Sequence, residues 1–145
     1  MAGGRRIPGL LVLGGLALSA CGSEPAPPLV ASNIEISAPM PGRSMSAAYL
    51  DLTNNSGETI TIDRVSSPQF EAVEIHESTL ENGIARMRPL TALPIPPGAS
   101  VHLERGGKHL MLMRPTGQSE QVELNFMSGD TILMGVTSRI TQRKP

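Results

Sequence analysis

Apolar side chains return at every second position along nearly the whole chain beyond residue 33, a period that fits strands with one buried face and no amphipathic helix. Ile34 and Ile36 alternate with Asn33 and Glu35, Ala48, Leu50 and Leu52 with Tyr49 and Asp51, and Ile60 and Ile62 with Thr59, Thr61 and Asp63. Val73 and Ile75, Val101 and Leu103, then Val122, Leu124 and Phe126, and finally Ile132, Met134 and Val136 continue the pattern. Turn-forming clusters fall between these runs: Asn54-Asn55-Ser56-Gly57, Glu81-Asn82-Gly83, Pro96-Pro97-Gly98, Arg105-Gly106-Gly107 and Ser128-Gly129-Asp130. Seven or eight short strands at intervals of about ten residues, each half apolar, predict an all-β fold, an antiparallel β-sandwich in a single domain. With only Tyr49, Phe70 and Phe126 as aromatics, its core must be aliphatic.

The first 20 residues stand outside that pattern. Arg5 and Arg6 precede an apolar run from Ile7 to Leu18, and small residues lead into Cys21, the layout of an export signal peptide. Interrupted by Gly9, Gly14 and Gly15, the run is too short for a membrane span. Leu18-Ser19-Ala20-Cys21 resembles the bacterial lipobox. The resemblance implies cleavage before Cys21, lipidation of its thiol, and a lipid anchor in the bacterial cell envelope facing the periplasm or the extracellular side. Residues 21–32 then comprise the lipid-attachment cysteine and a Pro-rich tether, 33–141 the sandwich, and 142–145 a tail. Cys21 is the only cysteine, so the exported domain has neither a disulfide nor a thiolate nucleophile. Setting aside Arg5 and Arg6 leaves ten basic against 13 acidic residues, a net of −3. No Lys/Arg cluster on the scale of a phosphate-binding surface is present, which argues against nucleic acid as a partner.

Chemistry concentrates in Gly106-Gly107-Lys108-His109-Leu110-Met111-Leu112-Met113. As a strand, this stretch sends His109, Met111 and Met113 to one face and Leu110 and Leu112 to the other. Imidazole suits copper, and thioethers are soft donors that select Cu(I), so a His and a Met two residues apart already narrow the metal. The remaining candidates are His76, at the end of the Val73–Ile75 run, and Met87, just beyond the Asn82-Gly83 turn, where the two fit neighbouring strands of one hairpin. His102 matches no such pattern and is expected to face solvent. Met40 and Met45 sit in a Pro/Gly-flanked loop, where packing or a transient copper contact is open.

The spacing His76-x10-Met87-x21-His109-x-Met111, together with Met87-Arg88-Pro89-Leu90 and Ile95-Pro96-Pro97-Gly98, resembles the periplasmic copper chaperones of the PCu(A)C type. The likeness runs from about Met40 to Ile140. It implies a cupredoxin-like Greek-key sandwich that binds one Cu(I) through His76, Met87, His109 and Met111, with Met113 as a possible alternate ligand. The implied destination is the binuclear copper centre of cytochrome c oxidase, reached through subunit II of the oxidase or an assembly factor. Some members of the family carry a His- and Met-rich C-terminal extension; Ile140 to Pro145 contains neither residue, so one copper per chain is expected.

The donor set suits a carrier. Two imidazoles and two thioethers hold Cu(I) less firmly than thiolates, and methionine avoids disulfide chemistry in an oxidising compartment. Because imidazole binds metal in its neutral form, affinity should fall below about pH 6.5. Catalysis is not expected, since four protein ligands leave no open position on the metal. Glu74 and Glu77, flanking His76, read as a polar strand face that keeps the surroundings acidic. Two other functions compete with delivery: a copper buffer without a dedicated acceptor, and a structural or interaction lipoprotein in which the four residues share no site.

Overall fold

Eleven strands carry the described residues: β1 (Leu29–Ser37), β2 (Met45–Asn54), β3 (Ile60–Ile62), β4 (Arg64–Ser67), β5 (Phe70–Glu81), β6 (Ile84–Leu90), β7 (Leu93–Ile95), β8 (Ser100–Leu103), β9 (Lys108–Pro115), β10 (Gln121–Ser128) and β11 (Thr131–Thr141). The structure is a computed structural model that describes Met1 and residues 25–39 and 42–141. Cys21, Met40, the tail 142–145 and the expected export signal from residue 2 onward lie outside the described residues.

Seven strands follow one another in the order β1, β11, β10, β4, β5, β9, β2, and β2 returns to β1, so the sandwich is closed into a barrel-like form. All of these pairings are antiparallel except β1 with β11. Closure leaves few free edges for unwanted strand pairing. β8 adds to the second half of β2, β6 hangs outward from β5, and β3 and β7 form a small separate sheet. Asn54 ties that sheet to the barrel: fully buried, its amide donates to the carbonyls of Glu58 and Ile95 at 2.7 and 2.8 Å, and its oxygen accepts from the Ser56 backbone at 2.8 Å.

Period two builds the core directly. In β2, Ala48, Leu50 and Leu52 are buried, and in β9 Leu110 and Leu112. They meet Ile36, Ile75, Leu124 and Phe126 in one largely aliphatic cluster. Burying each large aliphatic side chain stabilises the fold by roughly 1.5–3 kcal/mol relative to exposure.

Three differences from the sequence reading have local causes. There are eleven strands instead of seven or eight, because β4, β6 and β7 lack a long apolar alternation; β6 is exposed from Ile84 to Pro89. Asn82 (φ 53°) and Gly83 (φ 78°) both adopt the left-handed conformation that a tight β5–β6 hairpin turn requires. The sheet also starts at Leu29, within the stretch expected to be tether, because Leu29 and Val30 pair with Asn54 and Thr53 of β2 and Leu29 is buried. Ile132, finally, does not share the inward face of Met134. A bulge shifts the β10–β11 register between Phe126 and Met127, which turns Ile132 outward at 59% exposure and packs Leu133 against the core.

Candidate metal centre

β5, β9 and β2 lie side by side, with Ile75, Leu110 and Ala48 on the core face. The opposite, outward face carries the candidate ligands in rows. His76 of β5 stands directly across from His109 of β9, their ring centroids 6.0 Å apart. One row along, Met111 faces Glu74 on one side and Ala47 on the other. One row in the other direction, Met87 of β6 faces Ser78, two residues beyond His76 and on the same face. His76, His109, Met111 and Met87 therefore share one face across three neighbouring strands.

The two imidazoles are oriented through opposite nitrogens. His109, only 5% exposed, has its Nδ1 3.0 Å from the Gly107 carbonyl. Donation there places the neutral ring's lone pair on Nε2. Gly106 makes this possible: its φ of 78° turns the chain so that the Gly107 backbone comes back onto the Glu104 carbonyl. His76 is arranged the other way round. Its Nε2 lies 2.8 Å from Glu74 Oε2, while its Nδ1 is buried and has no hydrogen-bond partner. A buried acceptor without a partner costs free energy that a bound cation would recover. Carbonyl or carboxylate on one nitrogen and a free lone pair on the other is the arrangement found around metal-ligating histidines.

Among the described residues no group of three or more His, Cys, Asp or Glu side chains is placed to hold a metal ion. Two imidazoles flanked by thioethers fit a soft monovalent ion and fit Mg²⁺ or Ca²⁺ poorly. The candidate ligands differ in exposure: His109 is buried, Met111 half-buried, and Met87 is 55% exposed.

The family model described as "Putative lipoprotein LpqE-like" matches residues 29–141. The chain belongs to this LpqE-like family. A relative, "Putative lipoprotein Lxx21020" of Leifsonia xyli subsp. xyli (strain CTCB07), is 30% identical over 131 residues, 84% of this chain and 79% of that protein. The LpqE-like fold is also that of the PCuAC domains. The copper-bound PCuAC domain from PmoF2 superposes with a TM-score of 0.61 at 18% identity, covering 81% of this chain and 94% of that one. The Cu(I) form of DR1885 from Deinococcus radiodurans superposes with a TM-score of 0.60 at 25% identity, covering 84% and 82%.

In this LpqE-like chain the structure also assigns work that the sequence reading did not. Glu74 and Glu77 were expected to act alike as acidic surroundings. Instead Glu74 anchors His76, while Glu77 projects to the other face, bonded to Lys108 at 3.1 Å and Arg88 at 3.4 Å. The Lys108 hydrogen bond and charge, with help from Arg88, hold the Glu77 carboxyl below its ordinary range, so its charge is already matched. Tyr49 had no assigned role; its ring lies 6.4 Å from that of His109 and carries the Arg105 guanidinium 4.5 Å above it, with Arg105 also paired to Glu35. Together they wall the buried imidazole on the β2 side. Tyr49 occupies an outward position of β2, so alternation marked it as solvent-facing, and only the register with β9 reveals the neighbour. His102 is solvent-facing as expected, its Nδ1 2.6 Å from Asp51 Oδ1. Met113 lies outward beyond Met111, across from Ala72 and Met45.

Proposed function

We propose that this LpqE-like protein is a copper carrier of the bacterial envelope that holds one Cu(I) between His76, His109, Met87 and Met111. The observation that carries the reading is the histidine pair: two facing imidazoles, each tied at one nitrogen, with two lone pairs left on a face that also bears thioethers. Solved relatives described as copper-bound and as Cu(I)-bound support copper as the cargo. Lipidation at Cys21 would keep the carrier at the membrane surface, in keeping with the lipoprotein names of its relatives.

The arrangement suits transport and not catalysis. Four neutral protein ligands satisfy Cu(I) without an open position for substrate, and neutral thioethers release it more readily than thiolates. The exposed Met87 is the ligand an acceptor would displace first. We place that acceptor on the route to the binuclear copper centre of cytochrome c oxidase.

An anaerobic competition titration of the full chain against a chromogenic Cu(I) chelator tests the site. One tight equivalent is expected, and it should be lost in the Met87→Ala/Met111→Ala variant. A wild-type chain that fails to compete, or a double variant that binds as well, would overturn the four-ligand reading. Delivery is tested separately by deleting the gene and growing cells at low copper: oxidase activity should fall, whereas an unchanged activity with copper sensitivity would favour a buffer.

A further inference from the structure

Beyond the histidine pair, the same outward face presents three thioethers in a group. Met45 of β2 stands directly across from Met113 of β9, and Met111 is two residues away on the same side of β9. Directly opposed residues on antiparallel strands hold their Cβ atoms about 4.5–5.5 Å apart and diagonal ones about 7–8 Å, both within reach of long side chains. Short neighbours flank much of this patch: Ala72 faces Met113 from β5 and Ala47 faces Met111 from β2, while Glu74, across from Met111 on β5, is bonded to His76. Flexible methionine side chains therefore have room to bring their sulfurs together.

Core packing does not account for this group. The core residues of these strands, Ala48, Leu110 and Leu112, lie on the opposite face. Met45 is 38% exposed, and Met45 and Met111 both line a depression of about 250 Å³ with Ala47 and Tyr49. Met111 and Met113 are partly buried and Met45 is 38% exposed, so burial offsets only part of the rotamer freedom that three flexible side chains lose on ordering. A shared soft ion would compensate them.

We propose that Met45, Met111 and Met113 form a second, all-thioether Cu(I) station, which receives the ion at the exposed Met45–Met113 end and passes it along β9 to the histidine pair. The inference rests on the copper reading above and adds to it an entry route and a second equivalent. Met111 belongs to both stations, so an entering ion moves by exchanging ligands around a sulfur that stays bound; once the inner site is filled and holds Met111, a second ion is left with Met45 and Met113 alone. Three neutral thioethers without imidazole select Cu(I) and its analogue Ag(I) over Cu(II) and harder ions. With one ligand fewer, this outer station is the weaker of the two, which sets the direction of transfer inward.

The test is an anaerobic titration of the full chain, carrying ¹³C-methyl methionine, with Ag(I) as a redox-inert stand-in for Cu(I). The first equivalent should shift the methyl resonances of Met87 and Met111, and the second those of Met45 and Met113. In the Met45→Leu/Met113→Leu variant, which preserves apolar volume, the first equivalent should bind as before. The second should weaken by at least the roughly 10–100-fold that even an indirect partner of a metal ligand is worth. In a His76→Ala/His109→Ala variant the Met45 and Met113 methyls should still move. Methyls of Met45 and Met113 that stay in place through the second equivalent, or a leucine variant that retains it, would overturn the station while leaving the four-ligand site intact. Movement of Met45 and Met113 without any of Met87 would uphold the station and overturn the four-ligand site instead.

Discussion

The β5–β9 pair and the β5–β6 hairpin share a strand, yet they are built by different rules. Where β5 meets β9, each outward residue is backed by a buried one: Ile75 and Leu110 lie beneath His76 and His109, and Glu74 and the Gly107 carbonyl fix the two rings. Where β5 runs on to meet β6, only the base of the hairpin is covered, Leu90 packing against the core opposite Ile75. Leu80, Ile84 and Met87 are exposed, and among the described residues β6 pairs with no strand but β5. The imidazoles thus sit in a preorganised wall and Met87 on an arm. In the copper reading proposed above, the two fixed rings would set affinity and the exposed Met87 would permit exchange.

The largest effect that would sharpen this contrast is on stability. Leu110→Ala, at a fully buried position, should cost about 2–5 kcal/mol in denaturant unfolding. Met87→Ala should change stability by no more than about 0.5 kcal/mol while weakening copper binding. Comparable losses from the two would mean that the arm is part of the packed wall, and the contrast would be broken.

Smaller, and confined to binding, is the effect of the carboxylate behind His76. Glu74→Ala should lower Cu(I) affinity by roughly 10–100-fold with little change in unfolding midpoint, because the ring loses the acceptor that orients it. Unchanged affinity would show that packing alone aims His76.

The smallest effect concerns the third histidine. Hydrogen bonding to Asp51, reinforced by its charge, raises the His102 pKa above 6.5, and the same bond, after that from Asn33, lowers Asp51. A histidine raised in the folded state stabilises it fully below the unfolded value and loses that contribution as pH climbs through the folded one. His102 is exposed and Asp51 partly so, so the gain is slight. In an NMR titration the His102 midpoint should lie above 6.5, fall back in Asp51→Asn, and ignore added Cu(I). A response to Cu(I) would place His102 at a metal site and dissolve its difference from the wall histidines.

Much of this was legible beforehand because a strand's period is local. The inward faces of β2, β9 and β10 follow from alternation alone, and the spacing from His76 to Met111 named four candidates that share one outward face. Alternation failed where pairing shifts by a residue, as at Ile132, and where a strand has no buried face, as in β6. Glu74 and Tyr49 were missed for a related reason: what they touch lies within or across strands at a register that composition cannot supply.

Residue order therefore determined most strands and turns, since each depends on a few neighbouring side chains, and it supplied the candidate donors, whose identity is read directly from the chain. Tertiary structure alone decided that β5 and β9 pair with His76 opposite His109 and that Met45 comes to face Met113. Those contacts join residues 30 to 70 positions apart along the chain. Their register is set by the barrel as a whole, through closure, bulges and the packing of its core, which no single stretch of sequence contains.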